Sequence, residues 1–147
     1  MRPSSASPAG PTLREHREPC WELRVAGTNV LVANHAQMAA SLMTRMIGLM
    51  GRRTLPGGTG LVLEACRAIH TCFMRFPIDA VFVNQAWSVV AIREAIPPWR
   101  MTPVVWRAQA VIELPAGTVR KAGVRVGDVV TRRPAQPEDR GVQRKSA

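Results

Sequence analysis

Tyrosine is absent from this chain of 147 residues, and phenylalanine and cysteine occur only three times each. With so few rings there is no recognisable stacking platform for unpaired bases. No zinc-finger spacing is present either, so sequence-specific nucleic-acid recognition finds little support. The odd cysteine count, Cys20, Cys66 and Cys72, is a poor fit to the even disulfide frameworks of small secreted domains, and reduced thiols are expected. If Cys66 and Cys72 share one continuous strand, six residues at about 3.3 Å each hold them about 20 Å apart, well beyond the ~7 Å reach of a bridge. No stretch approaches the ~20 apolar residues of a membrane-spanning helix, and the first twenty residues lack the apolar core of a secretory signal. A cytoplasmic protein without a membrane span is the expectation, and no cofactor is predicted.

Acidic residues are scarce as well. Ten Asp and Glu face twenty Lys and Arg, a formal net charge of +10. Most of that excess falls between residues 20 and 133, so it belongs to the folded part and not to a basic tail. Such a charge favours weak, non-specific attraction to nucleic acid, anionic lipid or acidic protein, without conferring specificity. Eighteen of the twenty basic residues are arginine, which genome base composition explains as readily as phosphate binding.

What is present is a hydrophobic content of 46% and a mean hydropathy of −0.03, enough for one core. Residues 1–19 are rich in Pro, Ser and Ala, and residues 134–147 are polar. Both are expected to be disordered tails around a single domain at 20–133. Within it, Trp21 to Val25 and Val30 to Ala33 read as strands joined by a turn in which Gly27 and Asn29 can take positive φ. Met38, Leu42, Met46, Leu49 and Met50 recur at three to four residues and predict a helix from Ala36 to Gly51.

Leu61 to Phe76 reads as one bent strand or two short ones, and Ile78 to Val83 pairs with Trp87 to Ile92 in a hairpin. Ile96 to Pro103 must be loop. Arg107 to Leu114 is a further strand, Thr118 can cap a short helix ending at Gly123, and Val126 to Thr131 closes the domain. The fold class expected is mainly β, an antiparallel sandwich or barrel-like architecture, with one main α-helix and a short C-terminal helical turn.

The densest chemistry lies in 66–76. Taken as strand, Cys66, His70, Cys72, Met74 and Phe76 share an inner face, and Arg67, Ile69, Thr71, Phe73 and Arg75 the outer one. His70 and Cys72 are then weak candidates for a soft metal, completed by His35, Cys66 or a methionine, against the ordinary reading of a hydrogen-bonded core histidine. As a general acid or base, His70 needs a carboxylate such as Asp79 or Glu113 to fix its tautomer. No nucleophile elbow, phosphate loop or zinc-protease motif accompanies it, and the catalytic residues stay unassigned. Trp99-Arg100 and Trp106-Arg107 either present a rim that grips a ligand or partner, or plug the end of a barrel with solvated arginines beside them.

Three blocks, RMIGLMGRRTLP at 45–56, IHTCFMRFPIDAVFV at 69–83 and AVIELPAGTVRKAGVRVGDVV at 110–130, resemble the signature segments of the family called domain of unknown function 192. The resemblance spans roughly residues 28–131. It implies a compact antiparallel β domain with a helical excursion and no assigned reaction. Many relatives carry Trp-Met-Lys-Asn where this chain has His70-Thr71-Cys72-Phe73-Met74, and no site of theirs is carried over here. In the first block Arg45 stands just before the Gly-Leu-Met turn, placed to pair with Asp79 or Glu113 or to hold an anion. The expected function is a non-catalytic small-ligand or protein-binding accessory domain whose candidate residues are Arg45, His70, Met74, Asp79, Trp99 and Glu113. An enzyme using His70, a metal-binding protein and a non-specific nucleic-acid binder are the alternatives.

Overall fold

Cys20–Val25 (β1) and Leu31–Ala39 (β2) form the opening hairpin, with Gly27 at φ 84° and Asn29 at φ 57° in its turn. The computed structural model describes residues 19–39 and 54–136. The remaining elements are Thr59–Glu64 (β3), Ile78–Val83 (β4), Val89–Ile96 (β5), Ala110–Pro115 (β6), the helix Thr118–Ala122 (α1) and Val130–Pro134 (β7). They make one seven-stranded sheet in the order β5-β4-β6-β3-β2-β1-β7.

The mainly β class holds, with two corrections to its detail. β2 and β3 run parallel, so the sheet is mixed and not wholly antiparallel. No ladder joins the two edge strands, so the sheet is not a closed barrel. An isolated bridge between Ser88 and Val129 brings its edges together at one end only. There the Arg132 guanidinium lies 4.9 Å from the Trp87 ring and 5.4 Å from Trp21, a cation–π contact to both sides of the seam.

Two strands differ from the sequence expectation for a backbone reason. The helix expected from Ala36 does not begin there: His35 to Ala39 pairs in parallel register with Thr59 to Leu63, and β2 continues to Ala39. Cross-strand burial outweighs the methionine period at that point. The rest of the expected helix, with Arg45, lies outside the described residues, as do most residues of the expected tails at 1–19 and 134–147; of the second, Pro134 ends β7 and Ala135 N donates to Cys20 O at 2.9 Å. Gly58, at φ 79°, makes the close approach between β2 and the start of β3 possible. A Cβ on it would stand 2.5 Å from Asn34 Oδ1.

The strand expected from Leu61 to Phe76 stops at Glu64. Ala65 is left-handed at φ 50°, and the β3 ladders to β2 and β6 do not extend past Glu64. Residues 65–77 then run as an irregular segment. The inner and outer alternation drawn for Cys66 to Phe76 therefore fails: Ile69 and Thr71, assigned outward, are buried. The strand-length separation of Cys66 from Cys72 does not apply either. None of the three cysteines is in a disulfide.

Both faces of the central strands are buried. Val62, Val81, Val83, Ile112 and Leu114 join Leu23, Val32, Val119 and Val130 in an inner core. The alternate residues Leu63, Ile78, Ala80, Phe82 and Val111 form a second core with Ile69, Phe76 and Ala108. Segments 65–77 and 97–109 supply the cover of this outer face, a job sandwiches give to a second sheet.

Candidate functional site

The covering layer is built around one hydroxyl. Thr71, fully buried, donates from Oγ1 to the Pro97 carbonyl at 2.7 Å and accepts from the Arg100 amide at 2.9 Å. Its own amide donates to the Arg100 carbonyl at 2.8 Å, and its carbonyl accepts from Trp99 at 3.0 Å and Met74 at 3.2 Å. Further along, Thr102 and Ile69 exchange bonds, and Val105 N donates to Arg67 O. The two segments are thus zipped together over the outer core, with His70 bridged to Met101.

Just beyond this zipper the side chains turn outward. Phe73 and Trp99 have φ of 65° and 61°, left-handed values rare for large residues, and their rings meet at 4.7 Å between centroids. Phe73 is 51% exposed, Trp99 59%, Met101 78% and Trp106 76%. Arg67, Arg75, Arg100 and Arg107 are exposed on the same two segments, and neither 65–77 nor 97–109 contains an acidic residue. The face is apolar, aromatic and uniformly cationic. The barrel-plug reading of the tryptophans is set aside, because both stand in solvent.

The candidates named from sequence separate into groups. Met74 packs against the outer core, and Glu113, 2% exposed, lies on that same side, between its neighbours Leu61 on β3 and Ala80 on β4. His70 and Trp99 belong to the covering layer above. Asp79 faces the other way, opposite Leu114 on the inner side. Its Oδ1 accepts from Ala95 N and its Oδ2 from Val119 N, both at 2.9 Å. Asp79 therefore caps α1, whose own N-cap Gly117 offers no side chain, and Thr118 is the first helical residue and not the cap.

Asp79 and Glu113 cannot serve one site, since they lie on opposite faces of the sheet. His70 Nδ1 is buried with no hydrogen-bond partner among the described residues, so the expected satisfied core histidine is not what is seen. Among the described residues no group of three or more His, Cys, Asp or Glu side chains gathers to hold a metal ion. A cleft of about 330 Å³ lined by Glu64, Asn84, Trp87 and Gln109 contains none of the candidates.

The sequence made Trp99 a candidate, placed its partner Phe73 only on the outer face of a strand together with Thr71, and did not single out Met101. The available signal was the pair of proline-bounded, acid-free segments of equal length. It was obscured by reading the first of them as strand.

The model of the family described as Uncharacterized ACR, domain of unknown function 192, matches residues 23–132. The chain belongs to that family. Among similar proteins, a UPF0127 protein of Thermococcus kodakarensis is 29% identical over 114 residues, covering 75% of this chain and 72% of its own. One of Pyrococcus furiosus is 30% identical over 99 residues, covering 63% and 81%. Two solved structures share the fold. One from Sinorhizobium meliloti, described as a proposed transcription regulator, has a TM-score of 0.63 at 23% identity and covers 79% of this chain and 96% of its own. A protein of unknown function from Novosphingobium aromaticivorans has a TM-score of 0.62 at 21% identity, covering 75% and 83%. At those identities the likeness concerns the fold alone. Among the described residues no helix is long and apolar enough to cross a membrane.

Proposed function

We propose that the protein is a non-catalytic recognition domain that binds an acidic segment of a partner protein on the face formed by residues 65–77 and 97–109. The observation that carries this reading is the Phe73–Trp99 pair, two large rings held in solvent on left-handed backbone. Such conformations cost about 1–3 kcal/mol each and persist where the surroundings over-determine them, commonly at ligand clamps. Thr71 supplies that over-determination. Rigid aromatic anchors lose little entropy on binding, and four exposed arginines on two segments that contain no acidic residue favour carboxylates at the rim. A cytoplasmic setting is part of the proposal, supported by the odd cysteine count.

The test is fluorescence anisotropy with a labelled panel of peptides that place one Trp or Leu among Asp and Glu, alongside a twelve-nucleotide oligothymidine. Peptide binding that Trp99→Ala weakens at least tenfold, with the circular dichroism spectrum retained, is expected. Peptides bound equally by the variant would contradict the reading. Binding of the oligonucleotide alone, with steep salt dependence, would replace the acidic partner with single-stranded nucleic acid.

A further inference from the structure

Towards the other edge of the sheet from that face, β1 and β2 place a thiol against an imidazole. Cys20 Sγ stands 3.1 Å from His35 Nε2, both side chains half-buried and not sealed from solvent. We propose that Cys20 is a nucleophilic modification site, with His35 as its general base, that undergoes thiol–disulfide exchange with low-molecular-weight disulfides. A nucleophile within hydrogen-bond reach of a base is the arrangement such chemistry requires. With the ring proton on Nδ1, Nε2 accepts from the thiol.

The three cysteines of the chain make an internal comparison. Cys66 Sγ donates at 3.0 Å to the carbonyl of Ala68, an acceptor that engages the thiol proton but cannot take it away. Cys72 sits in the same irregular segment at similar burial. Only the Cys20 sulfur is set against a side chain that can carry a proton, among the described residues.

In the exchange, the Cys20 proton passes to His35 Nε2 as Sγ bonds to one sulfur of the small disulfide. That S–S bond breaks, and the departing thiolate takes the proton from the imidazolium. One mixed disulfide at Cys20 and one small thiol result, and a second thiol reverses the step.

The reduced full chain is incubated with glutathione disulfide, quenched with acid over time, and each cysteine followed by peptide mass mapping. Cys20 is expected to form the adduct at least tenfold faster than Cys66 or Cys72. His35→Gln is expected to slow Cys20 about tenfold or more while leaving the other two rates unchanged. Cys20 reacting no faster than the others in the wild type would overturn the proposal without recourse to any variant. So would a His35→Gln rate equal to wild type. A rise at all three cysteines in the variant signals unfolding, and the wild-type ratio then decides.

Discussion

A buried carboxylate invites a catalytic reading, and Asp79 shows how the count of its partners changes that. Its two oxygens accept two backbone amides, one from a left-handed residue of β5 and one from the first turn of α1. The register of β4 against β5 shifts between Ile78 and Ala80, where Glu94 and Ala95 together stand opposite Asp79. One side chain thus satisfies a bulge and a helix start together, donors that would otherwise be orphaned. Asp79→Ala is expected to destabilise the fold by about 2–4 kcal/mol, and Asp79→Asn, which keeps one acceptor oxygen, by less. Urea unfolding measures both. Equal stability of wild type and Asp79→Ala would show the carboxylate to be dispensable to the fold. The sequence announces an aspartate at a strand start, but neither amide, because both come from residues 16 and 40 positions away.

At the scale of elements, local pattern and observed structure agree where the pairing neighbours are close in sequence. The β1–β2 turn, β4, the end of α1 at Gly123 and the loop after Ile96 were all legible from residue type. Agreement fails at β2 and at 65–77. Parallel pairing of β2 with β3 is a non-local choice that a methionine period cannot report. The second segment is buried by contact with 97–109 and so carries neither a period of two nor one of 3.6. Thr71 is the hinge of that contact. Thr71→Val removes the bonds to Pro97 O and Arg100 N and is expected to cost about 1–3 kcal/mol. Amide hydrogen exchange is expected to quicken at Trp99 and Arg100 before the central strands respond. Unchanged exchange there would mean that the outer core alone orders the two segments.

Across the whole molecule, the two faces of the sheet divide the labour. The inner core, sealed by α1 and by the Trp21–Arg132–Trp87 seam, engages every strand and supplies stability. The outer core supports a layer with no secondary structure of its own, where strain and exposed apolar surface are concentrated. Of the six residues proposed from sequence, Trp99 stands on the exposed face, His70 and Met74 lie in the layer beneath it, and Glu113 lies on the supporting strand. Asp79 belongs to the other side, and Arg45 falls outside the described residues. The candidate face was legible as proline-flanked tryptophan and arginine, whereas its depth was not, since it depends on which side of the sheet each strand residue takes.

The most direct measurement is a proton–nitrogen correlation spectrum of the labelled protein titrated with the tightest-binding acidic peptide. A recognition face on the two zipped segments predicts shift changes concentrated at residues 67–76 and 97–107, saturating with the anisotropy curve. Changes centred on Glu64, Asn84 and Trp87, or on Cys20 and His35, with the two segments unmoved, would contradict it.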